Sequence, residues 1–245
     1  MSPPHEAAGG AAPGTHLGVQ IEPQPDLRSC GATCLHSIYR FYGLDLDLHH
    51  LAGSIEQLAS GGTLDVFLAC DALRRGFQAT IHTYNLQVFD PTWFDDPDVD
   101  IGARLEAQMR HKRGIRLTAA SRGYQEFLRL GGRLRFVDLT RRLLRDILNR
   151  GSPIITGLSA TYLYRTMREV AADDTDDDVR GTPAGHFVVL SGYDRRERTI
   201  RVSDPLEPNP LSGDRNYWIH IDRVIGAILL GVLTHDANLL VIRPT

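Results

Sequence analysis

Between Gly185 and Pro205 the chain reads GHFVVLSGYDRRERTIRVSDP, two apolar runs rich in β-branched residues with a charged turn between them. Strands joined by a short turn run in opposite directions, so this stretch closes as an antiparallel hairpin. Pairing Tyr193 with Thr199 across the turn sets Val188 opposite Asp204 and Phe187 opposite Pro205. His186 and Asp204 then sit two residues out of direct opposition, on one face of the sheet and within reach of each other. A slip of one residue would put them on opposite faces and separate them.

Upstream, helical patterns dominate. Leu35, Ile38, Tyr39 and Tyr42 recur at helical spacing and Gly43 stands where a left-handed cap belongs, so a helix begins at or just after Cys30. Further helices are expected at 49–58 and 63–75, the latter capped by Thr63 and ended by Gly76. FQATIHTYN alternates as a strand, and 89–132, with IGARLEAQMRHKRG and LTAASRGYQEFLRLGG, reads as a helical insertion or lid. RLRFVDL (strand), TRRLLRDILNRG (capped helix) and SPIITGLS (buried strand) follow. Helices mostly first and strands mostly last predict an α+β fold with N-terminal helices on a C-terminal antiparallel sheet. Residues 1–16, small and rich in Pro and Gly, are expected to form a disordered tail ahead of one domain spanning 17–245.

The composition excludes several classes. A formal net charge of −3 without a basic block argues against nucleic acid as a partner. The longest apolar run, VIGAILLGVL, is far short of the ~20 residues needed to span a bilayer and is expected to be a buried strand or a strand with its turn. Three cysteines are too few for a disulfide framework, and no apolar signal region follows the first methionine, so a reducing cytoplasm fits best.

Cys30 is the residue with most chemical promise. A thiol attacks as the thiolate, and unpaired N–H groups at a helix start stabilise an anion there. Gly31 beside it gives room for a substrate backbone to approach, whereas Cys34, one turn further in, reads as packing. A catalytic imidazole needs a carboxylate to fix its tautomer, and the hairpin offers His186 with Asp204. The backbone N–H of Cys30 and the side-chain amide of Gln24 could bind an oxyanion. Each residue also has an ordinary reading: a small apolar filler for Cys30, a strand end for His186, Asp-Pro turn chemistry for Asp204 and a solvated loop for Gln24. A zinc site of Cys30, Cys34 and His36 is disfavoured because His36 points away from the cysteine face. The acidic run Asp173–Asp178 reads as a solvated loop, or as a gate attracting a basic substrate.

Gln24, Cys30-Gly31-Ala32 with Cys34-Leu35, His186 before an apolar strand and Asp204-Pro205 after the next together resemble the bacteriocin-processing, double-glycine-leader cysteine peptidases, family thirty-nine of the papain-like clan. SGGTLDVFLACDALRRGFQA resembles that family's second block, while the middle of the chain is uncovered and no transporter segments are attached, as in stand-alone members. The resemblance implies a papain-like fold and a peptide or protein substrate cleaved through an acyl-enzyme. It also implies Cys30 as nucleophile, His186 as base and acid, Asp204 as its orienter and Gln24 as oxyanion donor, with no metal or cofactor. An acyltransferase and a non-catalytic peptide-binding domain on the same scaffold are the alternatives. The tail's own AAGGAA has no amphipathic leader helix ahead of it, which argues against self-processing.

Overall fold

A single eight-stranded sheet separates two apolar cores. The computed structural model describes residues 14–58, 61–170, 172–234 and 236–245. AAGGAA and the rest of residues 1–13 lie outside them. In chain order the elements are β1 (Thr15–His16), α1 (Cys30–Phe41), α2 (Leu48–Ser54), α3 (Asp65–Arg74), β2 (Gln78–Thr83), α4 (Ile101–His111), α5 (Ile115–Arg129) and β3 (Arg133–Arg135). There follow α6 (Arg141–Asn149), β4 (Ile154–Ser159), α7 (Ala160–Tyr164), β5 (Glu169–Val170), β6 (Thr175–Asp176), β7 (Gly185–Asp194), β8 (Thr199–Ser203), β9 (Asn216–His220), α8 (Ile221–Leu230) and β10 (Asn238–Arg243).

The sheet order is β3-β2-β10-β4-β7-β8-β9, with β1 added to β7. Thr15 and His16, expected in the tail, are thus strand residues paired with Tyr193 and Gly192. The sheet is antiparallel except where β2 meets β3, so the expectation of a purely antiparallel, C-terminal sheet is corrected to a mixed one. A parallel pair needs a long crossover, and the segment holding α4 and α5 provides it. Successive strand residues point to opposite faces. Ile155, Phe187 and Val189 therefore join the core under α1–α5, while Ile154, Val188 and Leu190 join the one under α6–α8.

Leu105, Tyr124 and Phe127 from the middle segment are buried in the same core as Val66 and Phe67 of α3. Burying each such side chain contributes about 1.5–3 kcal/mol, so 89–132 contributes to this core. VIGAILLGVL is not a strand. Ile221, Val224, Ala227 and Ile228 bury one stripe of α8, Leu229 and Leu230 stay exposed, and the His220 side chain accepts from Asp222 N–H as the cap. A run apolar on nearly every position carries no readable period, which is why the sequence alone misleads there. The strand that follows it, β10, lies inside the sheet between β2 and β4.

Local chemistry explains the remaining boundaries. Gly43 adopts φ +83° past the end of α1, as a left-handed cap requires. The Asp47 side chain accepts from His50 N–H to start α2, which stops at Ser54 rather than running on to 58. Thr63 does not cap α3; its hydroxyl donates to Glu56 O at 2.8 Å, and Leu64 is the cap residue. The Thr140 hydroxyl accepts from Leu143 N–H to open α6. The acidic segment is more ordered than a solvated loop: β5 and β6 pair as a hairpin, and Asp177 accepts from the N–H groups of Val179 and Arg180.

The β7–β8 register differs from expectation at the turn. Asp194 pairs with Thr199 and Tyr193 with Ile200, one residue off, but a bulge between Leu190 and Gly192 resets the ladder to Leu190–Val202 and Val189–Ser203. One extra residue on β7 therefore returns the far end of the hairpin to the alignment that sets His186 near Asp204.

Candidate active site

Cys30 is the first residue of α1, where the first N–H groups have no intrahelical partner. Among the described residues no side chain caps them. Ser29, in the cap position, makes no capping bond, because its Oγ accepts from Asp26 N–H and donates to Asp26 O, and the first turn holds no acidic residue. The space beside Gly31 is filled from within the protein: a Cβ there would lie 2.7 Å from Thr63 Cγ2 and 3.3 Å from both Leu68 Cδ1 and Phe187 Cδ2. Gly31 thus serves the close approach of α1 to α3 and β7, not the approach of a substrate backbone.

His186, near the start of β7, is buried and its Nε2 lies 2.9 Å from Asp204 Oδ1. With Nε2 so engaged, Nδ1 is the ring nitrogen left for the Cys30 thiol, whose charge acts on the imidazole. Asp204 is fully buried and saturated: Oδ1 also accepts from Leu206 N–H at 3.0 Å, and Oδ2 accepts from the hydroxyls of Tyr164 and Tyr217, each at 2.7 Å. Four donors around one carboxylate hold it ionised and fix its orientation.

Three opposing influences set the charges. Burial works against the thiolate, but hydrogen bonds from His186 and from the Phe187 and Gly31 backbones outweigh it and bring the Cys30 thiol below its usual value. Burial likewise works against the imidazolium, and Asp204 and Cys30 together raise His186 well above its ordinary value. Asp204, despite its burial, is held below the usual carboxylate range chiefly by His186. Both shifts run in the direction that stabilises a thiolate–imidazolium pair.

Gln24 is tied to the same region through its backbone N–H, which donates to Pro205 O at 2.9 Å, next to Asp204. Its side-chain Oε1 is buried without a hydrogen-bond partner among the described residues. Arg215 braces this segment, donating to Ile21 O while the N–H of Asp204 donates to Arg215 O. The other cysteines have the opposite electrostatics: burial pushes Cys34 well up and Cys70 to about 12. His36 spends Nε2 on Leu46 O at 2.8 Å, and no group of three metal-type side chains occurs among the described residues.

The sequence reading missed Tyr164 and Tyr217, and it missed two buried acids. Asp65 opens α3 almost fully buried, with Tyr124 Oη 3.4 Å from Oδ1 and no partner for Oδ2 among the described residues; burial raises it to about 7. Asp236 is pushed well up by burial, by Asp65 and by Cys30. An aspartate at a helix start reads from sequence as a surface cap, which hid Asp65.

A helix-mouth cysteine facing a histidine and an aspartate on a sheet, in an α+β chain, is the arrangement of the papain-like cysteine peptidase fold. More narrowly, the chain belongs to the Peptidase_C39 like family, whose model matches residues 16–224. No curated protein matches it in sequence. Among solved structures it is similar to a protein from Bacillus anthracis described as a C39-like peptidase, at 14% identity and TM-score 0.51, covering 95% of this chain and 98% of that one. It is also similar to a double glycine motif protease from an AMS/PCAT transporter, solved with the leader peptide, at 12% identity and TM-score 0.45, covering 94% of each chain. Xylellain, a cysteine protease from Xylella fastidiosa, has 17% identity and TM-score 0.43, with 95% of this chain and 86% of that one covered. At such identities the first of these likenesses is one of fold alone. No helix among the described residues is long and apolar enough to cross a membrane.

Proposed function

We propose that this chain is a cysteine peptidase that cleaves a peptide substrate through an acyl-enzyme. The observation that carries the reading is the buried His186–Asp204 hydrogen bond, on an imidazole whose charge acts on the Cys30 thiol at the mouth of α1. The thiolate attacks the scissile carbonyl, and the negative charge moves to the carbonyl oxygen, where the Cys30 N–H and the Gln24 amide donate to it. The intermediate collapses as the C–N bond breaks, and His186 gives its Nδ1 proton to the departing amine. Water then loses a proton to His186 and attacks the thioester carbonyl, and the carboxylate leaves as Cys30 regains the sulfur electrons. Asp204 keeps the imidazole in one tautomer and stabilises its cation throughout. Family membership supports hydrolysis of peptide bonds over other acyl-transfer chemistry.

Cleavage of a diverse peptide set, read by mass spectrometry with Cys30→Ser as the control, tests this. New amino termini formed by the native protein alone support it. Products that appear only with an added amine acceptor would mean acyl transfer, and no turnover with peptides bound equally by native and Cys30→Ala protein would mean a binding domain.

A further inference from the structure

A cavity of about 880 Å³ opens between α7, β9 and α8, and its lining includes neither Cys30 nor His186. It is nonetheless built from the same elements as the candidate site. Ser159 in its wall pairs with Gly185, the residue before His186. Arg165 and Trp218, also in the wall, directly follow Tyr164 and Tyr217, the two residues whose hydroxyls hold Asp204.

The charges in this wall are unbalanced. Arg165, Arg168 and Arg223 line it, and none of them forms an ion pair among the described residues. Asp222, the carboxylate of the lining, is committed to Arg141, whose Nε donates to it at 2.6 Å. Arg168 donates to the backbone carbonyl of Asp178. The Nε of Arg223 is buried with no hydrogen-bond partner among the described residues, and Arg165 lies near enough for its charge to oppose that of Arg223. Two like charges in one cavity wall, one of them carrying an orphaned, buried donor, are unfavourable unless an anion joins them. Around them stand Tyr162, Trp218, Leu230 and Leu233, all exposed.

We propose that this cavity binds an acidic side chain of the peptide substrate, the carboxylate bridging Arg165 and Arg223 while an apolar neighbouring residue packs on Trp218 and Leu233. The inference rests on the peptidase reading for the identity of the ligand as a substrate. It makes substrate choice depend on a charge contact away from the reacting carbonyl.

The test uses two pools of fluorescent dodecapeptides, one with a single Glu beside Leu or Phe at each position and one with Gln in its place. Binding is measured by fluorescence polarisation on the Cys30→Ala protein at low and high salt, and cleavage on the native protein. Charge-assisted hydrogen bonds of this kind predict roughly tenfold tighter binding of the Glu pool, a difference that salt reduces. Arg165→Gln and Arg223→Gln should bring the Glu/Gln ratio to about one. Equal binding of both pools, or a Glu preference that survives both substitutions, overturns the proposal. Arg165 is exposed, so Arg165→Gln decides the matter even if the Arg223 variant fails to fold. Cleavage without Glu preference would sink the cavity and leave the peptidase standing; Arg-dependent Glu binding without cleavage would do the reverse.

Discussion

Tyr217 and Asp204 are joined by a 2.7 Å hydrogen bond from the phenol to Oδ2, and Tyr164 reaches the same oxygen at the same distance. The pair of phenols occupies one carboxylate oxygen and leaves the other for His186 and Leu206 N–H. Hydrogen bonds to buried charged groups contribute about 1.5–3 kcal/mol each. Tyr217→Phe should therefore lower unfolding free energy by about that amount at pH 7. It should also raise the Asp204 pKa, so that the stability difference from the native protein shrinks in acid, as urea unfolding at several pH values would show. An equal difference at every pH would mean the phenol matters only for packing.

The thiolate–imidazolium pair predicts selective alkylation. At pH 6 iodoacetamide should modify Cys30 well ahead of Cys34 and Cys70, whose thiols burial keeps protonated. Because Cys30 is shifted down and His186 up, peptide turnover should rise at a pH below the ordinary thiol value and fall only above the ordinary imidazole value. His186→Ala should move the onset of Cys30 reactivity up to the ~8.5 of a free thiol or beyond it, because burial is then opposed only by backbone N–H groups. Mass-spectrometric rates of labelling at each cysteine across pH 5–9 would check it.

Gln24→Ala should cut kcat by about 10²–10³, the usual effect of deleting one oxyanion donor, with little change in the unfolding midpoint. A loss confined to KM would assign Gln24 to substrate binding instead.

Asp65 gives a pH signature in stability. Its folded pKa of about 7 lies above the unfolded value near 3.9, so the folded state holds the proton more tightly. Stability is lost as pH rises from about 4 to about 7 and is level beyond. Asp65→Asn removes that titration, so the variant should gain on the native protein across the same window and be the more stable of the two at pH 8. Guanidinium unfolding at pH 4, 6 and 8 measures this; a gap that does not grow with pH contradicts it.

Gly31→Ala forces a methyl against Thr63 Cγ2 at 2.7 Å. Overpacking of this kind costs about 1–3 kcal/mol. Thr63→Ser removes that methyl while keeping the hydroxyl that donates to Glu56 O, so the double variant should recover part of the loss. Thermal melts of the four proteins give the coupling, and simple additivity would mean the clash lies elsewhere.

Much of this molecule was legible before its structure. The period of two in GHFVVLSGY and TIRVSD put His186 and Asp204 on one face, and the apolar spacing after Cys30 started α1 at the thiol. Both are local patterns, in which neighbours along the chain report on a common face or stripe. The turn register was wrong by one, and the bulge at Ser191 restored the alignment, which no spacing rule could have indicated. Tertiary structure alone brought Tyr164 and Tyr217 to Asp204 from 40 and 13 residues away, turned VIGAILLGVL into a helix and buried Asp65. Each of those outcomes depends on which surfaces meet when sheet and helices pack, and a run of residues carries no record of the partner it will face.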